Sequence, residues 1–179
     1  MKILALSGSN ADKSFNQTLL KFMTNHFSDR YDFELATVKR LPMYQEELAA
    51  SAEVLALAKQ IEAADLVLIG TPEQQHSVTS ALKSALEWLS SVTHPFNGKA
   101  IAMVSTSVLP QGAARSQTRL KTILMSPGFG AHVFAGDEFM LPSAPAAFDD
   151  QGQLKDASTI KFLDYFFDEI DTWYQQLTK

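Results

Sequence analysis

The 179-residue sequence contains no cysteine, and this absence excludes several kinds of chemistry. Without thiols there can be no disulfide, cysteine nucleophile, thiolate zinc site, protein-ligated iron–sulfur cluster or dithiol redox reaction. If this protein handles electrons, it must bind a cofactor to do so. At roughly 100–200 residues per domain, we expect residues 1–179 to form one domain with its own core.

Blocks of like charge and long apolar runs are also missing. The net charge is −5, and no basic stretch offers the footprint expected of a nucleic-acid-binding protein. No segment approaches the ~18 apolar residues of a membrane span. The apolar start of the chain ends at Ser7-Gly8-Ser9, too early for a secretory signal. We therefore expect a cytoplasmic protein that binds neither nucleic acid nor a membrane.

Three familiar site motifs are absent. Lys13-Ser14 follows Asp12 instead of the glycine of a Walker A loop, and Gly128-Phe129-Gly130 lacks the third glycine of a dinucleotide fingerprint. There is no Gly-x-Ser-x-Gly elbow of a serine hydrolase. The four histidines are scattered without helical metal spacing, so no metal site is expected.

What the sequence does contain is an apolar pattern that changes repeatedly between the strand period and the helix period. Strands are predicted at residues 2–6, 31–38, 65–70, 100–104 and, with the weakest pattern, 133–134 with 139–141. Helices are predicted at residues 15–27, 51–61, 78–89, 115–124 and 160–177, with Ser14 and Ser51 as N-caps. About five alternations predict an α/β fold with a mainly parallel sheet.

Three predicted strands are followed by segments rich in small hydroxyl and amide residues. We call them the first loop (residues 7–16), the second loop (residues 70–77) and the third loop (residues 105–112). Ligands of open α/β sheets collect at the carboxyl ends of the strands, so the three loops predict one polar cleft. The first loop has the composition of an anion cradle at a helix N-terminus. The alternative is that Ser14 only caps the helix.

Several motifs in register then carry a resemblance to a known family. They are Gly8-Ser9-x-x-x-x-Ser14-x-Asn16, Leu41-Pro42-Met43-Tyr44, Thr71-Pro72-Glu73 with Ser77, Leu82-Lys83-x-Ala85-Leu86-x-Trp88-Leu89, and Gly98-Lys99-Ala100 leading into Val104-Ser105-Thr106-Ser107. Over about the first 140 residues the sequence resembles the NADPH-dependent FMN reductases, a family that also includes quinone and azo reductases.

The resemblance implies a fold and an activity. The fold would be a flavodoxin-like three-layer sandwich with a five-stranded parallel sheet in the order 2-1-3-4-5. The activity would be that of an FMN-dependent NAD(P)H oxidoreductase, with NADPH or NADH as co-substrate and a small acceptor such as a flavin, a quinone or an azo compound. Members of the family form homodimers or homotetramers, so the same is expected here.

The resemblance also implies where FMN is held. Its phosphate would lie in the first loop, its ring on the main chain of the second loop, and its pyrimidine or ribityl end beside the third loop. The implied residues are Ser9, Ala11, Ser14, Phe15 and Asn16 in the first loop, Pro72, Glu73, Gln74, Gln75, His76 and Ser77 in the second, and Ser105, Thr106 and Ser107 in the third.

The sequence departs from the family pattern at a few of these positions. Ala11 stands where the family often has an arginine for the phosphate, a role that Lys13 could take over. Gln74-Gln75-His76 stands where Tyr-Asn-Gly is common, and Thr79 where proline is common. His76 is thus either a proton donor to the reduced substrate or an exposed loop residue without a catalytic task.

Three questions stay open at the level of the sequence. Arg115 and Arg119 share a helical face that could reach the phosphates of a nicotinamide nucleotide or lie solvated. The whole protein could be an electron carrier that does not itself oxidise NAD(P)H. It could also be a binding or regulatory protein that has lost FMN, which is suggested by Ala11 and by Gln74-Gln75-His76.

Overall fold

The computed structural model describes residues 1–179 as six strands and six helices. The strands are β1 (Lys2–Ser7), β2 (Asp32–Thr37), β3 (Leu66–Gly70), β4 (Ala100–Thr106), β5 (His132–Val133) and β6 (Phe139–Leu141). The helices are α1 (Phe15–His26), α2 (Ala52–Ala63), α3 (Ser80–Val92), α4 (Ala114–Leu124), α5 (Ala144–Ala147) and α6 (Ala157–Leu177). None of these helices combines the length and the apolar character needed to cross a membrane.

All strand pairs are parallel, and the sheet has the order β2-β1-β3-β4 with β5 and β6 along the outer edge of β4. The predicted order 2-1-3-4-5 is confirmed, but its fifth position is filled by two short pieces. β5 pairs with Ala100 and Ile101, and β6 with residues 104–106. Between them the chain leaves the sheet, and the ring of Phe134 lies over Gly136, where a β-carbon would come within 2.3 Å of it.

Two apolar cores cover the two faces of the sheet, which gives the three layers of the flavodoxin-like fold. Successive side chains of β1 point to opposite faces, so Ile3 packs with α1 and α6, and Leu4 packs with α2, α3 and α4. Phe166 and Phe167 of α6 are fully buried in the first of these cores. The continuous apolar strands of the sequence are thus those covered on both faces.

Most predicted helix starts are confirmed, and two differ by a few residues. The Ser14 and Ser51 side chains cap α1 and α2 as expected. α3 begins at Ser80 rather than at 78, because the Thr79 hydroxyl accepts the Leu82 N–H at 3.0 Å. α6 begins at Ala157, three residues before the first apolar residue of its pattern, because Asp156 caps it.

Hydrogen bonds between side chains join the segment after α1 to α6. The Arg30 guanidinium donates to Asp168 and Asp171 at 2.8 and 2.9 Å, and the Tyr31 hydroxyl donates to Asp171 at 2.8 Å. Burial, the bond to Asp171 and the charge of that carboxylate all raise the pKa of Tyr31 above its ordinary value. These bonds stabilise the neutral phenol and hold α6 against the segment between α1 and β2.

Candidate functional site

The first and second loops meet at the carboxyl ends of β1 and β3, where the strand order reverses. The Gly8 N–H donates to the Gly70 carbonyl at 2.9 Å, and the Thr79 hydroxyl donates to the Gly8 carbonyl at 2.6 Å. A β-carbon on Gly8 would lie 2.8 Å from Leu82 of α3. A residue larger than glycine would have to displace the Leu82 side chain and press on the Gly70 carbonyl, which lies 3.2 Å from the added β-carbon. The reversal of strand order is also the place where a doubly wound sheet binds its ligand.

The first loop presents a row of free main-chain donors at the start of α1. The five consecutive N–H groups of residues 12–16 donate to no acceptor within the chain. The next N–H, that of Gln17, is satisfied by the Ser14 hydroxyl at 3.4 Å. Free N–H groups at a helix N-terminus favour an anion through both hydrogen bonding and the helix dipole. Ser14 thus caps the helix, and the loop keeps donors for a ligand as well.

Of the lysines around this row of N–H groups, one forms an ion pair and two do not. Lys39 forms an ion pair with Asp12, and this bond lowers the pKa of the Asp12 carboxyl. Lys13 has no carboxylate partner, and neither has Lys21, about two turns further along α1. The two free lysines line an open groove of about 370 Å³ beside the start of the helix. Lys13 is thus the available cation of the first loop, whereas Ala11 is exposed and uncharged.

Asn16 is placed differently from the expected phosphate ligand. Its side chain is 3% exposed and forms two bonds to the main chain of Thr106, as acceptor from the N–H at 3.1 Å and as donor to the carbonyl at 2.9 Å. Only the main-chain N–H of Asn16 remains free for a ligand. The side chain instead joins the first loop to the end of β4.

The second loop ends in a tight, strained turn. Gln74 and Ser77 exchange two main-chain bonds of 2.9 Å, and the central residues Gln75 and His76 have φ values of 50° and 58°. Positive φ at both central positions is the geometry of a type I′ turn, for which Asn-Gly is preferred. For residues with a β-carbon this geometry costs about 1–2 kcal/mol each.

Two side chains hold this turn in position. The Glu73 carboxylate accepts the main-chain N–H of Arg115 at 3.1 Å and lies 3.4 Å from its guanidinium, which fixes the turn to the start of α4. On the other side, Thr79 is bonded to Gly8 of the first loop. Pro72 and Ser77 are partly exposed along the same segment. Glu73 is therefore a structural anchor, and Arg115 is its partner.

Of the three hydroxyls expected in the third loop, those of Ser105 and Thr106 are buried and turned into the protein. Ser105 donates to the Gly112 carbonyl at 2.6 Å, and Thr106 donates to the Leu141 carbonyl at 2.9 Å. The Ser107 hydroxyl accepts the Leu109 N–H at 3.1 Å. These bonds shape the loop, so the loop offers a ligand mainly its main chain.

A comparison of this sequence with models of known protein families shows the family to which the chain belongs. The model of the family described as NADPH-dependent FMN reductase matches residues 1–146. The chain belongs to that family. This confirms the resemblance carried by the loop motifs and makes the protein an oxidoreductase that works with FMN and NAD(P)H.

Individual relatives of the reductase cover nearly the whole chain. It is 36% identical over 181 residues to the NADH:(hydroxy)cinnamate reductase subunit CrdA of Vibrio ruber, covering 100% of this chain and 90% of that protein. It is 32% identical over 170 residues to a quinone reductase of Escherichia coli, covering 91% of this chain and 89% of that protein.

Solved structures agree with this assignment. The flavoenzyme NAD(P)H:(acceptor) oxidoreductase FerB of Paracoccus denitrificans superimposes with a TM-score of 0.88 at 30% identity, covering 98% of this chain and 97% of that one. An archaeal flavodoxin superimposes with a TM-score of 0.57 at 10% identity over both whole chains. That second likeness confirms the flavodoxin-like fold and nothing more.

The FMN phosphate that the family requires fits the first loop of this reductase. A phosphate needs donors on several sides, and the free N–H row of residues 12–16 supplies them without a side chain at Ala11. The turn at Gln75 and His76 keeps the left-handed geometry that Asn-Gly would adopt. Both departures from the family pattern therefore leave the main chain of the site intact.

Several residues that shape the loops of the candidate site are not predicted from the sequence. Gln117 of α4 is 1% exposed and donates to both Ser105, at 2.8 Å, and the carbonyl of Phe139, at 2.9 Å. Thr71 and Ser116 are bonded at 2.5 Å, also within the interior. A signal did exist, since Gln117 shares the helix face of the buried Leu120 and Leu124. A polar residue on an apolar face needs a buried partner.

The remaining sequence candidates lie apart from this arrangement. His26 is bonded to Asp164 of α6 at 2.7 Å, and His94 is exposed in the loop before β4. No three histidine or carboxylate side chains lie close enough together to hold a metal ion. Arg119 forms no ion pair.

Proposed function

We propose that the protein is an FMN-dependent NAD(P)H oxidoreductase whose acceptor is a small molecule: a flavin, a quinone or an azo compound. Bound FMN supplies the hydride chemistry, and the protein binds and orients it. The observation that carries the proposal is the row of five free N–H groups at residues 12–16, placed where the strand order reverses. Only the N–H groups at the helix start lack an acceptor in every α-helix, and here the row extends two residues further, to Asp12 and Lys13.

The structure supports a role for each loop. We assign the phosphate to the free N–H groups of the first loop, including those of Ser14, Phe15 and Asn16, with Lys13 as the nearby cation. We assign the ring to the main chain of Pro72 to Ser77, and the other end of FMN to the main chain of the third loop.

A direct test uses the purified protein and its visible spectrum. We expect a flavin spectrum, or quenching of flavin fluorescence when FMN is titrated into the apo-protein, and then bleaching by NADH or NADPH without oxygen. Steady-state oxidation of the nucleotide with a small quinone separates a reductase from an electron carrier. A colourless protein that neither binds FMN nor oxidises either nucleotide would disprove the proposal.

The assignment of the phosphate can be tested through Lys13. Lys13→Ala should weaken FMN binding by roughly 3- to 10-fold at low salt, because a partly exposed ion contact contributes about 1 kcal/mol. The loss should shrink at high salt. Lys59→Ala is the matched control, since Lys59 is exposed on α2 and forms no ion pair. Equal affinities for the two variants would place the phosphate elsewhere.

We further propose one domain over residues 1–179, a cytoplasmic location and an oligomeric enzyme, a homodimer or homotetramer. Two relatives are named as subunits: CrdA, and subunit 2 of an NADH-dependent flavin reductase of Lactobacillus johnsonii, which is 35% identical over 184 residues. These names support an assembly. Light scattering coupled to size exclusion tests it, and a monomer at micromolar concentration would contradict it.

A further inference from the structure

The turn of residues 74–77 holds two consecutive residues in a conformation that suits glycine. Gln75 and His76 both have positive φ, although neither is glycine or asparagine. Strained backbone of this kind persists only where the surroundings impose it, and it is concentrated at functional sites. The strained residues are therefore candidates for a role that a relaxed Asn-Gly turn would not provide.

The surroundings do impose this conformation. The two mutual bonds between Gln74 and Ser77 close the turn. Glu73 fixes its first side to α4, and Thr79 fixes its second side to Gly8. These contacts hold the turn in one conformation, with His76 at its exposed end.

The side chain at that tip has no partner in the protein. His76 is exposed and forms neither a hydrogen bond nor an ion pair. The charged groups that anchor this turn, Glu73 and Arg115, are bonded to each other. Arg115 also cannot serve as an acid, because a guanidinium does not release its proton in proteins. His76 is therefore the free proton-carrying group of the second loop.

We infer that His76 contacts the acceptor molecule and donates a proton to it. The inference rests on the proposed function, which supplies the hydride. Reduction of a quinone-type acceptor by two electrons needs that hydride and one proton. An N–H bond of the imidazolium breaks as an O–H bond forms on the acceptor oxygen, and the neutral ring then recovers a proton from water, to which it is exposed.

The test removes the imidazole without straining the turn further. In His76→Gly, glycine accepts the left-handed conformation, so the melting temperature should not fall. Reduction of the bound flavin by NADH and reoxidation by a quinone are measured separately by stopped flow. The reoxidation rate should fall about 100-fold relative to the rate of flavin reduction. Added imidazole should restore the lost rate, which a purely structural role would not allow.

A second histidine offers a matched control. His94 has a φ of 48° and is also exposed, but it lies in the loop before β4, at the other end of the sheet. His94→Gly should change the melting temperature as His76→Gly does and leave both half-reactions unchanged. The inference is overturned if His76→Gly keeps its reoxidation rate, or if imidazole fails to restore it. A wild-type protein without FMN binding would instead overturn the proposed function, and this inference with it.

Discussion

Gly8 lies where the end of β1 meets β3 and the start of α3, and a larger residue does not fit there. A β-carbon would come within 2.8 Å of Leu82 and 3.2 Å of the Gly70 carbonyl. The backbone of Gly8 does not have positive φ, so the requirement is one of space. The Gly8 N–H joins the first loop to the second at Gly70, and the Gly8 carbonyl joins it to Thr79 at the start of α3.

Gly8→Ala should therefore destabilise the protein by about 1–3 kcal/mol, because the added methyl group forces the loops and α3 apart. Chemical denaturation with urea measures this change. Gly128→Ala is the control, since nothing lies within 4 Å of its added β-carbon and its φ is not positive. An equal loss in the two variants would contradict the spatial argument.

Asn16 has a structural role at the same scale. Asn16→Ala should cost about 2–4 kcal/mol, since it leaves a buried N–H and a buried carbonyl of Thr106 without partners. FMN binding should weaken as well, because the third loop is no longer held. Asn25→Ala, on the exposed face of the same helix, should leave both the unfolding free energy and FMN affinity nearly unchanged. Urea denaturation and fluorescence titration give the two quantities.

The sequence could predict which polar residues lie in the candidate site. It could not predict whether their side chains face a ligand or bond to the protein interior. The three loops were correctly placed at one edge, because parallel strands bring their carboxyl ends together. Whether the hydroxyl of Ser105 points to a ligand or to Gly112 depends on contacts with residues far along the chain. The side chain of Asn16 likewise reaches a residue ninety positions away. Periodicity carries no information about such pairs.

At the scale of elements, the sequence predicted most of the fold. Fully apolar strands and amphipathic helices determined the alternation, and the polar N-caps Ser14 and Ser51 marked two starts. The outer edge was weakest in the sequence and is divided in the structure, since β5 has two residues and β6 has three. The apolar pattern does not predict the start of α6, because the first turn of this helix is polar and its N-cap is Asp156.

Asp156 allows a prediction for this helix. Hydrogen bonds from Ser158 and Thr159 lower the pKa of its carboxyl to about 2. Asp156→Ala should lower the melting temperature by about 2–4 °C, and Asp156→Ser should recover most of it because serine also caps helices.

The same group should contribute to acid sensitivity. A carboxyl with a lowered pKa in the folded state stabilises the protein above its unfolded value of 3.8, and the contribution is lost as the pH falls through about 2. The melting temperature of Asp156→Ser should therefore fall less between pH 4 and pH 2 than that of the wild type. Parallel curves would contradict this assignment.

At the scale of the whole molecule, Tyr31 joins the first third of the chain to the closing helix. Its pKa is raised, mainly by burial and by the bond to Asp171. A raised pKa favours the protonated form in the folded state, so the contribution to stability is complete below about pH 10 and is lost as the pH rises above it.

Tyr31→Phe should cost about 1 kcal/mol at pH 7, where the bond to Asp171 is lost. Above pH 10 the unfolding free energy of the variant should fall less steeply, by up to about 1.4 kcal/mol per pH unit. Urea denaturation between pH 7 and pH 11 measures both effects. If the unfolding free energies of the two proteins fell equally steeply with pH, the pKa of Tyr31 would not be raised in the folded state.

The divided fifth position of the sheet also bears on self-association. An open sheet is at risk of recruiting further strands along a long, continuous edge, and this can lead to aggregation. Here β5 and β6 offer only two and three residues, separated by the turn at Gly136. The opposite edge, β2, carries Asp32 and Glu34 among its six residues. Neither edge gives another copy of the chain a long, uncharged strand to extend.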